Sequence, residues 1–233
     1  MIVIPAIDLR GGRCVRLLRG DHDAETVVAE DPLEVGRRFE GAGAPWLHVV
    51  DLDAAAGSGS NRGLVRELCR RVGTPVQLGG GLRSIEAVER ALRDGAERAI
   101  LGTAAALEPE LVAEAVRRFG DRVVVALDVL DGRLRTHGWR EPGPPLDAAL
   151  QRLEAVGPAR YLVTSIARDG AMEGPDLDLY RRMVRLTVRP LIASGGVRTA
   201  DDVRALSEVR LEAVVVGRAL YVGTLDLTEV VRG

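Results

Sequence analysis

The sequence predicts a closed parallel barrel of eight strand–helix units, (βα)8, assembled as two duplicated half-barrels. Three observations carry that expectation. Short apolar runs alternate with helical stretches along all 233 residues, the pattern of parallel strands joined by crossover helices. Two of those runs end in glycine turns of one form, Leu78-Gly79-Gly80-Gly81-Leu82-Arg83 and Ala193-Ser194-Gly195-Gly196-Val197-Arg198. At the same 115-residue offset, from Gly80 to Gly195, Leu101-Gly102-Thr103-Ala104 falls on Val216-Gly217-Arg218-Ala219 without a gap. An open doubly wound sheet is the alternative, but two equal halves of four units close more naturally into a ring. One domain over residues 1–233 is expected.

The first strand, Val3 to Ile7, is apolar throughout and ends at Asp8, as suits a strand buried on both faces. A glycine-rich arginine loop follows from Arg10 to Asp23, and Asp31-Pro32 then caps a helix to about Gly41. Trp46 to Val50 is the second strand, Asp51-Leu52-Asp53 ends it, and a helix is expected from about Asn61 to Val72 after the loose Gly57-Ser58-Gly59-Ser60. The third strand, Pro75 to Leu78, feeds a helix from Ser84 to about Gly95, and the fourth, Ala99 to Leu101, a helix after Glu108-Pro109. Arg122 to Leu127 is the fifth strand and ends on Asp128 as the first ends on Asp8; the echo extends into Gly12-Arg13 and Gly132-Arg133 at the same 120-residue offset. The sixth strand is Tyr161 to Val163 with Thr164 at its end, followed by the loop Asp169 to Gly174 and a helix from Leu177 to Thr187. Pro190 to Ile192, a helix from Ala200 to Ser207, Ala213 to Val216 and a last helix from Leu225 to Val231 complete the series. Eight such units in this length describe a (βα)8, or TIM, barrel.

Composition narrows the function. The 32 basic and 34 acidic side chains nearly cancel, which argues against nucleic acid or an anionic membrane surface as partner. No apolar run reaches membrane-spanning length and no charged leader precedes the first strand, so a cytoplasmic protein is expected, and a monomer. Cys14 and Cys69 have no metal-type spacing, and His22, His48 and His137 form no cluster. No metal and no organic cofactor is therefore expected. All the positive charge is arginine, with no lysine anywhere, and Schiff-base chemistry, which needs a lysine amine, is excluded.

In a parallel barrel the loops after the strands form the active face, so polar residues that terminate apolar strands carry the chemistry. These are Asp8, His48, Asp51, Asp128 and Thr164, with Asp169 just beyond. Strands one and five oppose each other in an eight-stranded ring, and carboxylates on opposed walls suit acid–base work on a substrate between them if their pKa values are pushed apart. Backbone N–H groups bared by glycine at a helix start bind phosphate. The turns at Gly80, Gly81, Gly102 and Thr103 and at Gly195, Gly196, Gly217 and Arg218 thus read as two copies of one cradle, for a small molecule with a phosphate at each end.

Several stretches together resemble the ProFAR isomerase family of histidine biosynthesis: Ile4-Pro5-Ala6-Ile7-Asp8-Leu9, Gly12-Arg13-Cys14-Val15-Arg16-Leu17, His48-Val49-Val50-Asp51-Leu52-Asp53-Ala54-Ala55, Gly79-Gly80-Gly81-Leu82-Arg83, Gly138-Trp139, Asp169-Gly170 and Ser194-Gly195-Gly196-Val197. The resemblance spans the chain and implies an Amadori rearrangement of an aminoaldose carrying two phosphoribosyl groups, without metal or cofactor. It makes Asp8 the base and Asp128 or Asp169 the acid, with Thr164 beside them. Substrate binding then falls to Arg19, His48, Gly170 and the two cradles, with Trp139 stacking on the imidazole carboxamide. This chain departs from the family pattern in one loop, where Ser165 replaces an acidic residue, Asp176 an asparagine, and Ala171-Met172 a Thr-Leu pair. The sister cyclase of the same pathway is a rival, although its first strand usually reads Cys-Leu-Asp. So is an isomerase that also rearranges phosphoribosylanthranilate. A non-catalytic sugar-phosphate-binding barrel would have no need of Asp8 and Asp128.

Overall fold

The computed structural model describes residues 1–231. Among these, twelve strands form one sheet, and eight of them make a closed parallel ring. In chain order the strands are β1 (Ile2–Arg10), β2 (Arg13–Leu18), β3 (Asp21–Ala29), β4 (Leu47–Asp51), β5 (Val76–Gly79), β6 (Arg98–Leu101), β7 (Val123–Leu130), β8 (Arg133–Thr136), β9 (Glu141–Pro145), β10 (Tyr161–Ser165), β11 (Leu191–Ser194) and β12 (Ala213–Val216). The ring runs β1-β4-β5-β6-β7-β10-β11-β12 and closes where β12 pairs with β1. A ring of parallel strands leaves no sheet edge to protect.

The helices that cover it are α1 (Pro32–Gly41), α2 (Leu52–Ala56), α3 (Arg62–Arg71), α4 (Ile85–Arg93), α5 (Thr103–Leu107), α6 (Pro109–Phe119), α7 (Leu146–Val156), α8 (Leu177–Leu186), α9 (Ala200–Ser207), α10 (Arg218–Val222) and α11 (Leu227–Val231). The expected start signals are in place. Asp31 accepts from Leu33 N and Glu34 N with Pro32 at the first turn, and Ser84 accepts from Ala87 N. Several elements have no counterpart in the expected series. The loop from Arg10 to Asp23 is largely the β2–β3 hairpin, a matching β8–β9 hairpin follows β7, and helix α7 fills the unit after it. The short α2, α5 and α10 each start directly at a strand end.

Alternation along the strands sorts the core into two sets. Outward residues such as Val3, Leu47, Val125 and Val163 pack under the helices. Inward residues fill the ring itself: Ile4, Ala6, Ile100, Val124, Ala126, Leu162, Ile192, Ala213 and Val215. Below that plug, Arg98 and Arg160 share Glu212 at 3.8 and 3.1 Å and Arg98 lies 3.9 Å over the Trp46 ring, closing the N-terminal mouth. Filled below, the ring is open only at the C-terminal ends of its strands.

The duplication is legible in backbone angles as well as in sequence. Gly80 and Gly195 have φ of 101° and 102°. Gly102 and Gly217 share the rare combination of φ −102°, ψ −92° and φ −112°, ψ −96°. Asp131 and Gly132 turn the second hairpin with the positive φ that Gly11 and Gly12 use in the first. Because Ile192 is wholly buried inside the ring, Ile192→Ala should leave a cavity and cost about 2–5 kcal/mol. A urea titration should show a lower midpoint with an unchanged m value.

Candidate active site

The C-terminal mouth holds a cavity of about 250 Å³ whose walls carry Asp8, Asp128 and Asp169 together with Arg16, His48, Thr164 and both glycine turns. Asp8 and Asp128 reach it from β1 and β7, with three ring strands between them either way round. Asp169 arrives from the loop between β10 and α8.

Each carboxylate has a different neighbourhood. Asp8 Oδ2 accepts from Arg16 Nη1 at 2.5 Å, and the second terminal nitrogen of Arg16 donates to the Ala6 carbonyl at 2.5 Å. Burial pushes the Asp8 pKa up while the adjacent guanidinium, by charge and by hydrogen bond, draws it back. For Asp128 burial again raises the pKa, opposed by hydrogen bonds from Trp139 and Thr164 rather than by a cation. Asp169 is pushed up to about 7, by burial first and then by the negative charge of Asp8, with Arg16 opposing and Asp128 adding to the rise. The arrangement offers one carboxylate paired with a cation and one whose pKa is pushed up to about 7 without such a partner, environments that differ in the way general acid–base catalysis needs.

Arg16 has its own supports. Its guanidinium lies 5.0 Å from the Tyr221 ring centre, Tyr221 Oη donates to the same Ala6 carbonyl at 2.9 Å, and a Cβ on Gly217 would meet Arg16 Cζ at 2.6 Å. His48 is buried next to Gln77, whose amide nitrogen lies 2.9 Å from His48 Nδ1. Burial, with Arg16 assisting, pushes the imidazole pKa down to about 3, so His48 is neutral and its other ring nitrogen is left for a ligand.

The profile of the family described as "Histidine biosynthesis protein" matches residues 2–226. The chain belongs to this family. Among its relatives, proteins named 1-(5-phosphoribosyl)-5-((5-phosphoribosylamino)methylideneamino)imidazole-4-carboxamide isomerase share 47% identity from Roseiflexus sp. (strain RS-1), covering 98% of both chains, and 45% from Acidothermus cellulolyticus, covering 97% of this chain and 95% of that one. The protein of that name from Acetivibrio thermocellus is 43% identical over 99% of this chain and 98% of its own. Like its relatives in the histidine biosynthesis family, the chain is an enzyme, an isomerase. No helix among the described residues is long and apolar enough to cross a membrane.

Most of the residues singled out from sequence meet around this cavity: Asp8, His48, Gly80, Gly81, Gly102, Thr103, Asp128, Trp139, Thr164, Asp169, Gly170, Gly195, Gly196, Gly217 and Arg218. Two of these also make contacts within the protein. Trp139, held at φ 69°, hydrogen-bonds to Asp128 and packs on Gly20, so it caps the mouth. Gly170 is a hinge of contacts, its φ of 66° letting its carbonyl accept from Arg218 Nη1 at 2.8 Å. Arg19 is not among the residues that line the cavity. Its side chain turns out of the cavity to the Ala167 carbonyl at 3.1 Å and Glu173 at 3.4 Å, and its own N–H donates to the Asp169 carbonyl at 3.0 Å. The guanidinium that reaches Asp8 is that of Arg16, carried on β2. A lone charge inside the run Cys14-Val15-Arg16-Leu17-Leu18 is the signal for it in the sequence. Sequence reasoning gives no role to Arg83, which lines the cavity, or to Gln77, which lies behind His48; for Gln77 the available clue is an amide in an otherwise apolar barrel strand.

Asp51 serves the framework. It caps α2 through Ala54 N at 3.1 Å and accepts from Asn61. Packing alone requires glycine at these turns: a Cβ on Gly81 would meet the Ala54 carbonyl at 2.7 Å, and one on Gly195 the Ser165 carbonyl at 2.7 Å.

Asp169 gives a stability test whose sign is fixed. Its folded pKa lies above the unfolded one, so its neutral form carries no penalty below about pH 4, and stability is lost as pH rises towards and through about 7. Asp169→Asn should therefore be more stable than the parent at pH 8, by roughly 1–3 kcal/mol for a group at the wall of an open cavity. The difference should vanish near pH 4, as read by denaturant unfolding at both pH values.

Proposed function

We propose that this isomerase converts ProFAR, an aminoaldose bearing two phosphoribosyl groups, into the aminoketose PRFAR. What carries the reading is the placement of two like glycine turns, one in each half of the ring, around a cavity that holds one carboxylate paired with Arg16 and another whose pKa is pushed up to about 7. The turn at Gly80, Gly81, Gly102 and Thr103, with Arg83 near it, would take one phosphate. Gly195, Gly196, Gly217 and Arg218 would take the other. The names of the relatives, which specify two phosphoribosyl groups, support the same substrate.

In the proposed sequence Asp169 gives its proton to the ring oxygen of the aminoaldose and the ring opens to an imine. Asp8, kept ionised by Arg16, then removes the proton from the adjacent sugar carbon, and the resulting enolamine becomes the ketose. Asp128, tied to Trp139 and Thr164, holds the cover of the mouth and supplies negative charge opposite Asp8. Neutral His48 offers a hydrogen bond without competing as a charge.

Turnover of purified protein with ProFAR, and side by side with phosphoribosylanthranilate, tests the reading. ProFAR should be consumed; protein that binds it without converting it would refute the proposal. Asp8→Asn should lose about 10²–10⁴ in kcat with the bis-phosphate product still bound, and more than a tenth of parental turnover would remove Asp8 from the base role. The fall in rate above pH 7 should disappear in Asp169→Asn and persist in Asp128→Asn; the reverse pattern would exchange their roles.

A further inference from the structure

The loop that carries Asp169 leaves β10 at Ser165 and enters α8 at Asp176, and side chains join its two feet. Ser165 Oγ donates to Asp176 Oδ2 at 3.1 Å, while Asp176 Oδ1 accepts from Leu179 N at 3.0 Å and so caps α8. Ser165 is only 2% exposed. The first half of the barrel has a contact at the same place. Asp51 ends β4 in register with Leu9, as Ser165 ends β10 in register with Val129. Asn61 precedes α3 as Asp176 precedes α8. There the strand-end carboxylate of Asp51 accepts from Asn61 N at 2.7 Å and Nδ2 at 2.8 Å. The two halves thus keep the contact and exchange the partners: carboxylate at the strand and donor at the helix in one, donor at the strand and carboxylate at the helix in the other.

We infer that Ser165 and Asp176 are positioning residues which close the neck of this loop and thereby set the place of Asp169, as a partner-exchanged copy of Asp51 and Asn61. The inference rests on the role given to Asp169 above. The chain from neck to acid is short and hydrogen-bonded: Arg168 N donates to the Ser165 carbonyl at 3.1 Å, and Asp169 N to the Ile166 carbonyl at 3.1 Å. On the return side Gly174 N donates to the Gly196 carbonyl at 3.1 Å, and the bare face of Gly195 rests on the Ser165 carbonyl. A shift of Ser165 would displace both Asp169 and the second glycine turn. The neck tolerates one carboxylate and one donor; two carboxylates there would repel.

Four proteins test this: the parent, Ser165→Ala, Ser165→Asp, and Ser165→Asp combined with Asp176→Asn. Each is measured for kcat and KM with ProFAR across pH, and for amide hydrogen exchange over residues 165–176 without substrate. Ser165→Ala should lose about three- to tenfold in kcat, the effect of one hydrogen bond, with faster exchange in the loop. Its high-pH limb should move, because Asp169 then faces Asp8 of β1, Arg16 of β2 and Asp128 of β7 from a different position. Ser165→Asp should lose roughly thirtyfold or more, and the double variant should return to within about threefold of the parent, a non-additivity expected only of groups in contact. If Ser165→Asp does not fold, recovery of fold and turnover in the double variant supports the pair equally. A Ser165→Ala protein with parental pH profile and parental exchange, or a double variant no better than Ser165→Asp, overturns the inference. Failure of the parent to convert ProFAR would refute the substrate assignment instead, and the exchange data, which need no substrate, would still decide the neck.

Discussion

The contact between Arg16 and Asp8 is where the symmetry of this barrel breaks, and the chemistry depends on that break. Duplication supplies an aspartate at the end of β1 and another at the end of β7. At the 120-residue offset that relates them, the counterpart of Arg16 is Thr136, whose hydroxyl donates to the Glu141 carbonyl instead, so Asp8 has a guanidinium beside it while Asp128 is held by hydrogen bonds from Trp139 and Thr164. Three carboxylates sharing a cavity cannot all ionise cheaply. One cation lies against one of them. Arg16 favours the charged form of Asp8, and the charge of Asp8 in turn helps to keep the proton on Asp169.

That distribution is held by packing around the mouth. The loops after β1, β7 and β10 interlock over the cavity: Arg19 N–H binds the Asp169 carbonyl, Gly20 lies against Trp139, and the bare face of Gly170 lies against the Leu17 carbonyl. Among the described residues, five of the six non-glycine positions with positive φ, Arg19, Asp131, His137, Trp139 and Met172, sit in the segments that follow these three strands. Left-handed backbone at side chains of this size is disfavoured, so the cover stores strain that the hydrogen bonds between loops offset. Below it the ring is plugged by aliphatic side chains and pinned by the arginine pair at Glu212. The plugged ring carries the glycine turns and Asp8; the loops that cover it carry Asp169 and Trp139.

Much of this is legible in the amino-acid sequence, and the legible parts share a physical basis. Buried parallel strands must be apolar on both faces, which is why all eight ring strands stand out as short runs and why Asp8 and Asp128 are visible at their ends. Glycines forced by close backbone approach mark both turns. The hairpins are harder to see. Residues 13–29 and 133–145 mix apolar and charged side chains, are broken by bulges and in the second case are rich in proline, so no sustained alternation betrays them, and the direction of Arg16 is hidden with the first of them. Arg16 and Arg19 are both arginines near a glycine; which of them points inward follows from strand parity, and parity is defined only by the existence of β2. Ser165 and Asp176 read as departures from the family pattern, and only the internal comparison with Asp51 and Asn61 gives them a common cause.

One guanidinium splits the protonation of carboxylates that share a cavity, and carboxyl-carbon NMR reads that division directly. The protein would be labelled at aspartate, titrated from pH 3 to 9, and assigned with the Asp8→Asn and Asp169→Asn variants. Asp169 should titrate near 7, with Asp8 already ionised when it does. In Arg16→Met the Asp8 midpoint should rise, since the cation is what lowers it. An Asp169 that titrates near the ordinary value of about 4, or an Asp8 midpoint indifferent to the loss of Arg16, would contradict this division of charge.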